Sequence, residues 1–277
     1  MARKMLRRLL QKTGTIGWSY RLKPKTMDAK NEIKVFPTLD ALDEATAALI
    51  ITIAKSAVAD KGRFTISLSG GQTPQRLYKL LAGPEYSMQM VWDKTFVFWG
   101  DERCVPPDDE QNNAHMARTA LLDHITIPAA NIYPVPVELS PEPAAHKYER
   151  QIKDFFLGQP PAFDLILLGL GENGHTASLF PGTDALGESD RLIKDVYVTE
   201  QKMYRITMTA KLINEADNII FLAAGSNKAA ILSKVIVGPY QPDTYPAQYI
   251  QPKHGMLYWY LDKQAAALLP QDITGHH

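Results

Sequence analysis

The chain has 277 residues, of which 45% are apolar and 22% charged, and this composition is ordinary for a globular protein that buries a core. A single cysteine excludes an intramolecular disulfide and favours a reducing compartment such as the cytoplasm, and no apolar run approaches the ~18 residues that a membrane span needs. The 30 basic and 30 acidic side chains balance overall, but the acidic ones predominate after residue 26, which argues against a nucleic-acid partner for the main body.

Residues 1–26 form a basic leader with eight Lys or Arg side chains and no acid. The leader lacks the apolar core and the cleavage site of a secretory signal. A transit peptide, a basic amphipathic arm and an extension upstream of a true start at Met27 all remain open, and we favour the last. We therefore expect a disordered leader over 1–26 and one domain over 27–277.

Apolar runs typical of strands alternate with helical periodicity from residue 32 onward. The strand-like runs are Ile33–Phe36, Phe64–Leu68, Thr95–Trp99, Ile132–Val137, Phe163–Leu168, Val196–Thr199, Tyr204–Met208, Asn218–Ala223 and Met256–Leu261. The helical runs are Leu39–Ala59, Pro74–Leu81, Asn113–His124, Pro141–Leu157, Ala210–Ala216, Asn227–Val237 and Asp262–Leu269. This alternation predicts an α/β fold with a doubly wound, mostly parallel sheet and helices on both faces, in a single domain. Ligands bind such sheets at the carboxyl ends of the strands.

The first candidate loop is SLSGGQTP, residues 67–74, between a predicted strand and a predicted helix. Gly70 and Gly71 allow the backbone to come close to a ligand. Thr73 is a suitable N-cap, and Pro74 suits the first helical position. Unpaired N–H groups at such a helix start bind anions, phosphate in particular. An ordinary strand-to-helix turn would have the same local sequence.

The second loop is WGDERCVP, residues 99–106, directly after a buried strand. Three adjacent charges at a strand end are costly unless they are paired or exposed, and a solvated loop with a local ion pair is the plain interpretation. The functional interpretation is that Arg103 reaches into the crevice to hold an anionic or carbonyl oxygen and that Asp101 positions it. Cys104 is better explained as a packing residue than as a nucleophile.

The third loop, residues 168–182, reads LGLGENGHTASLFPG and contains a literal G-x-G-x-x-G. A dinucleotide site would need a long helix after it, which Pro181 and Gly182 prevent. The glycines, Gly171 and Gly174 among them, more plausibly wrap a small ligand and present His175. A lone histidine is more often structural, but a glycine-rich turn at a strand end favours a functional one.

Two further basic residues lie near predicted strand ends. Arg205 opens a strand, and Lys228 begins a helix after a Gly-Ser-Asn turn, so that Lys228 could reach a phosphate. Each could equally be a surface charge. The remaining histidines have no metal-ligand spacing with carboxylates or with Cys104, so we expect no metal site.

Taken together, these loops resemble the 6-phosphogluconolactonase family. The matching blocks, in order, are SLSGGQTP (67–74), WGDERCVP (99–106), GLGENGHTASLFPG (169–182), RITMT (205–209), AAGSNKA (223–229) and WYLDKQAAA (259–267). The resemblance implies the fold shared with glucosamine-6-phosphate deaminase and ribose-5-phosphate isomerase. It also implies hydrolysis of 6-phospho-glucono-δ-lactone, in the second step of the pentose phosphate pathway, without a cofactor. Asn173 stands where many members have aspartate, a change compatible with activity.

The hypothesis that follows assigns a role to each candidate residue. Neutral His175 takes a proton from water, which attacks the lactone carbonyl, and the imidazolium then protonates the ring oxygen. Arg103 and backbone N–H groups of residues 171–174 stabilise the oxyanion. The phosphate lies over Gly70, Gly71 and Thr73 and is held by Arg205 and Lys228.

Two other functions remain open. An amino-sugar-phosphate deaminase or isomerase would use the same phosphate loop with Asp101 or Glu172 as its base. A non-enzymatic sugar-phosphate sensor would keep the binding site, with the leader as its only candidate DNA-binding segment. For the favoured function we expect a small sugar-phosphate lactone as the partner, no nucleic acid or membrane, and a monomer or homodimer in the cytoplasm.

Overall fold

The computed structural model describes residues 31–274, so the predictions made for the leader lie outside the described residues. The strands are β1 (Asn31–Phe36), β2 (Phe64–Leu68), β3 (Thr95–Trp99), β4 (Asp101–Arg103), β5 (Leu165–Gly169), β6 (Ile193–Val198), β7 (Met203–Met208), β8 (Asn218–Ala223) and β9 (Met256–Asp262). The α-helices are α1 (Leu39–Lys61), α2 (Gln72–Ala82), α3 (Pro84–Ser87), α4 (Asn113–Ala120), α5 (Pro141–Phe155), α6 (Ala210–Ile213), α7 (Ala229–Ile236) and α8 (Gln271–Thr274).

Six strands form one parallel sheet in the order β1-β9-β8-β5-β2-β3. The central strands read as nearly continuous apolar runs, such as Leu165-Ile166-Leu167-Leu168, because helices cover both faces of the sheet and all four side chains are buried. This confirms the predicted doubly wound α/β class.

A second, three-stranded antiparallel sheet, β4-β7-β6, was not predicted as a separate layer. β4 is only three residues long and fully charged, so its sequence has no strand-like periodicity. The backbone of Gly100 joins the two sheets, since its N–H donates to Leu68 and its carbonyl accepts from Met208. The small sheet therefore lies next to the carboxyl ends of β2 and β3.

Three predicted elements are wrong in kind or extent. The predicted helix Asp262–Leu269 is instead the end of β9 followed by turns over residues 263–269, with the Asp262 carboxylate accepting backbone N–H groups from Gly225 and Ala265. Ile132–Val137 makes only a single bridge, from Ile132 to Val97. The α6 helix is one turn long. Each of these segments makes a hydrogen bond to a distant part of the chain: Lys263 donates to Phe36, Tyr133 to Val97 and Asn214 to Tyr249.

The start of α2 also differs from the prediction. The helix begins at Gln72, with Gly71 as its N-cap at φ 104° and no side-chain cap, so Thr73 is not the N-cap and Pro74 is not the first helical residue. A φ in this region suits glycine. Because no side chain caps the helix, its first N–H groups are available to a ligand.

The direction of chain progression changes between β2 and β5, which are neighbours in the sheet. From β2 the chain proceeds to β3 at one edge, and it later returns to β5 on the other side of β2. A crevice opens at the carboxyl ends of strands at such a switch point. Within residues 31–274, no helix is long and apolar enough to cross a bilayer.

Candidate active site

A cleft of about 320 Å³ occupies the switch point. It is lined by residues at the ends of β2 and β5, by β4 and β7, and by the starts of α4 and α7. Its lining residues are Ser69, Gly70, Gly71, Asp101, Arg103, Asn113, Gly169, Leu170, Gly171, His175, Thr176, Ala177, Gln201, Arg205 and Lys228. All three catalytic candidates and five of the seven binding candidates therefore lie together.

Two predicted binding residues, Thr73 and Gly174, are placed elsewhere. Thr73 lines a neighbouring cavity that lies beside Arg76 and Lys263. Gly174 has φ 83°, and a Cβ there would lie 3.1 Å from Tyr245, so this glycine serves the turn and its packing. Their positions follow from the backbone of the two turns, which the sequence pattern does not specify.

The loop after β5 holds the imidazole of His175 in a defined tautomer. Its Nδ1 lies 2.5 Å from the Oδ1 of Asn173, which also accepts the backbone N–H of His175. An amide oxygen can only accept a hydrogen bond, so Nδ1 carries the proton and Nε2 keeps its lone pair. A neutral histidine with a free Nε2 at the edge of a cleft is a competent general base.

The surroundings of His175 keep it neutral. Its ring stacks on Phe180 with centroids 4.0 Å apart. Burial is the main cause that lowers the pKa of His175, to about 4, and the charges of Arg205 and Lys228 act in the same direction, whereas Asp101 opposes them. The free base therefore predominates at neutral pH.

Asp101 positions Arg205, and the prediction that its side chain positions Arg103 is wrong. The Asp101 carboxylate accepts the hydroxyl of Ser178 at 2.7 Å and lies 3.4 Å from the Arg205 guanidinium. Both charged residues are buried, with 7% of the surface of Asp101 and 6% of that of Arg205 exposed. Gln201 accepts a further guanidinium hydrogen bond from Arg205. Asp101 and Gln201 thus hold Arg205 on the wall of the cleft.

Arg103 is instead held by α4 and the loop before it. Its guanidinium donates to the carbonyl of Gln111 at 2.9 Å and to the Oδ1 of Asn113 at 2.5 Å. A Cβ on Gly70 would lie 2.0 Å from that same Oδ1, so Gly70 makes room for the Asn113 amide. The glycine has a packing role beside Arg103 in addition to any contact with a ligand.

Arg103 and Arg205 are directly opposite each other in the β4–β7 register. Like charges at such a cross-strand position destabilise a sheet, and Asp101 neutralises one of them. Lys228, next to the start of α7, adds a third cation to the lining. With His175 neutral, the lining carries three positive charges and one negative one, which favours a dianionic ligand.

Several site features were not found by sequence reasoning. Asn113 follows Asn112, which caps α4, so the pair looks like an ordinary helix start. Gln201 lies in a turn with no distinguishing pattern. Phe180 lies in the third loop, residues 168–182, but its sequence position does not indicate that it contacts His175. Only the fold brings these side chains to the cleft.

Glu102 has a structural role that the sequence pattern does not indicate. Its buried carboxylate accepts backbone N–H groups from Arg103, Asn113 and Ala114, and so ties β4 to the start of α4. Burial raises the pKa of Glu102 to about 7 in spite of these hydrogen bonds. Burial likewise raises the pKa of Cys104 to about 11, which agrees with a packing role for that thiol.

The backbone donors proposed for the oxyanion are partly occupied. The N–H of Gly171 donates to the carbonyl of His175, and the N–H of Gly174 donates to the carbonyl of Gly171. These two bonds close the turn, so among the predicted donors the guanidinium of Arg103 is the stronger candidate. No helix occurs between residues 170 and 192, in agreement with the rejection of a dinucleotide site.

Comparison with known proteins gives consistent matches. The family model described as glucosamine-6-phosphate isomerases/6-phosphogluconolactonase matches residues 37–259. A 6-phosphogluconolactonase of Nostoc sp. is 44% identical over 87% of this chain and 99% of its own length. That of Synechocystis sp. is 44% identical over 84% and 96%. The solved 6-phosphogluconolactonase of Trypanosoma brucei is 28% identical, with a TM-score of 0.78 over 87% of this chain and 99% of that one.

Proposed function

The chain belongs to the family of glucosamine-6-phosphate isomerases and 6-phosphogluconolactonases, and we propose that it is a lactone hydrolase whose general base is His175. It is an enzyme of the pentose phosphate pathway and hydrolyses 6-phospho-D-glucono-1,5-lactone to 6-phospho-D-gluconate. The hydrogen bond from His175 Nδ1 to Asn173 carries the assignment of the base, because it leaves Nε2 unprotonated at a cleft rich in cations.

The reaction needs one base that later acts as an acid. His175 Nε2 takes a proton from water as the water oxygen bonds to C1 of the lactone. The carbonyl oxygen becomes an oxyanion, which the guanidinium of Arg103 stabilises. When the bond from C1 to the ring oxygen breaks, the imidazolium returns its proton to that oxygen. The product is the open-chain acid, which ionises in solution.

The phosphate of the substrate is assigned to the part of the cleft lined by Gly71, Arg205 and Lys228. Gly71 exposes the uncapped N-terminus of α2, and Lys228 and Arg205 supply positive charge. The ion pair with Asp101 keeps Arg205 oriented without substrate. This arrangement retains Gly70, Gly71, Arg205 and Lys228 in the roles inferred from the sequence, and omits Thr73 and Gly174.

The deaminase or isomerase alternative has less support. A sugar-phosphate isomerase needs a carboxylate free to take a proton from a carbon atom. Asp101 is buried and committed to Ser178 and Arg205. Glu172 is exposed and accepts the side-chain amide of Asn227 at 2.7 Å. His175 is the side chain available as a base, and it suits water activation.

The test supplies the full chain with three substrates. Freshly prepared 6-phosphogluconolactone should be hydrolysed well above its spontaneous rate. Unphosphorylated gluconolactone should react far more slowly at equal concentration, because it has no phosphate to pair with the cations of the cleft. Glucosamine 6-phosphate should release no ammonia. Ammonia release without lactone hydrolysis would overturn the proposal.

A cytoplasmic location accords with the single, half-buried thiol of Cys104.

A further inference from the structure

Phe180 contacts both the proposed base and a cation of the cleft. It lies five residues after His175 and is 4% exposed. Its ring stacks on the imidazole with centroids 4.0 Å apart and planes 20° from parallel. The Cζ of Arg205 lies 5.5 Å from the centroid of the same ring. One aromatic side chain thus contacts both the proposed base and a cation assigned to the phosphate.

The face of an aromatic ring carries negative potential and attracts cations. Neutral imidazole gains little from this field, whereas imidazolium gains more. In the proposed hydrolysis, His175 is cationic only between the first and the second proton transfer. A contact that strengthens as the charge develops lowers the barrier of the chemical step and leaves substrate binding nearly unchanged.

The ring also limits where the imidazole can lie. The Asn173 hydrogen bond fixes Nδ1, and Gly171 leaves just enough room beside the imidazole, since a Cβ there would lie 2.0 Å from Nδ1 and Cε1. Phe180 covers a face of the ring. Without that stacked surface, the imidazole would be free to tilt away from the position in which Nε2 meets the water.

We propose that Phe180 is a positioning residue for the hydrolysis, which holds the imidazole of His175 by stacking and stabilises the imidazolium beside the charge of Arg205. The proposal rests on the proposed function, since it requires His175 to be the base. It assigns no contact between Phe180 and the substrate.

The kinetic test compares Phe180→Leu, which keeps apolar volume but loses the ring, with Phe180→Tyr, which keeps the ring face. An aromatic contact of this kind corresponds to a change of about tenfold in rate. We expect kcat of Phe180→Leu to fall about tenfold with KM within about twofold, and Phe180→Tyr to retain most of kcat. Equal losses in both variants, an unchanged kcat in Phe180→Leu, or a change confined to KM would overturn the proposal.

A spectroscopic measurement separates this proposal from the proposed function. In the wild-type chain, the ring current of Phe180 should shift the imidazole C–H proton resonances of His175 upfield. The shift should persist in Phe180→Tyr and vanish in Phe180→Leu, or in Phe180→Met if thermal unfolding shows that the leucine variant does not fold. Imidazole resonances that are the same in all variants would overturn the stacking role, even if the wild type hydrolyses the lactone. Conversely, lack of lactone hydrolysis by the wild type would overturn the function while the resonances still report the stacking.

Discussion

The Nδ1 of His175 lies 2.5 Å from the Oδ1 of Asn173, so a neutral amide, and not a carboxylate, orients the proposed base. An amide fixes the tautomer as a carboxylate would, but it contributes no negative charge to stabilise the imidazolium. The burial that lowers the pKa of His175 is therefore opposed by the charge of Asp101 and not by the residue that orients the ring.

Replacing Asn173 with aspartate should raise the pKa of His175. The acid limb of the kcat/KM profile should then move to higher pH, because a nearby carboxylate favours the protonated ring. Asn173→Ala should lower kcat about five- to tenfold, since it removes a hydrogen bond worth ~1 kcal/mol. Profiles that coincide for wild type and Asn173→Asp would contradict the role given to this amide.

The wild-type pH profile follows from the lowered pKa of His175. A base works when it is unprotonated, so activity should be present above the pKa and disappear as the pH falls through it. With a pKa of about 4, kcat/KM should stay level from neutral pH down to about 5 and decline below that. The measurement is initial lactone consumption above the spontaneous rate. A decline centred near 6.5, the ordinary value for histidine, would contradict the lowered pKa of His175, and a profile without an acid limb would contradict its role as the base.

Gly171→Ala should damage catalysis while leaving the fold largely intact. Its Cβ would lie 2.0 Å from Nδ1 and Cε1 of His175, so the imidazole would have to move. A displacement of about 1 Å in a catalytic group can cost ~10²-fold in rate. Gly187→Ala is the matched control, because a Cβ at that exposed glycine meets nothing within 4 Å. Equal kcat values and equal Tm values for the two variants would contradict the tight packing of His175 on Gly171.

Much of this fold is encoded in local patterns. Buried strands such as Phe64–Leu68 and Asn218–Ala223 match the predicted bounds because both faces of a parallel strand are apolar. The glycine turns, which end those strands, indicate where the cleft lies. The antiparallel sheet escapes prediction because the three residues of β4 are all charged and are stabilised by cross-strand pairing with β7.

The site was only partly predictable for a related reason. His175 stands in a distinctive turn, and Arg103, Arg205 and Lys228 lie near strand ends. The partners of these residues lie elsewhere in the chain: Asn113 accepts a hydrogen bond from Arg103, and Asp101 forms an ion pair with Arg205. The local sequence pattern does not predict these contacts. The sequence therefore predicts that Asp101 pairs with Arg103, two residues away, whereas the fold pairs it with Arg205.

Lys228 should act mainly on substrate binding. Lys228→Met should raise KM for 6-phosphogluconolactone about tenfold or more, since a charge-assisted contact with phosphate is worth ~1.5–3 kcal/mol, and should change kcat little. Turnover of unphosphorylated gluconolactone should be unaffected. Lys263→Met, which removes a cation that lines the neighbouring cavity, is the control. A loss confined to kcat, or an equal effect of both substitutions, would contradict the assignment of Lys228 to the phosphate.

The most direct test of the central claim is the turnover of His175→Ala with 6-phosphogluconolactone, measured against the spontaneous reaction. A positioned general base typically contributes ~10²–10⁴-fold, so we predict a loss of that order in kcat with a Tm close to that of the wild type. A folded His175→Ala variant that hydrolyses the lactone at close to the wild-type rate would show that this histidine is not the base.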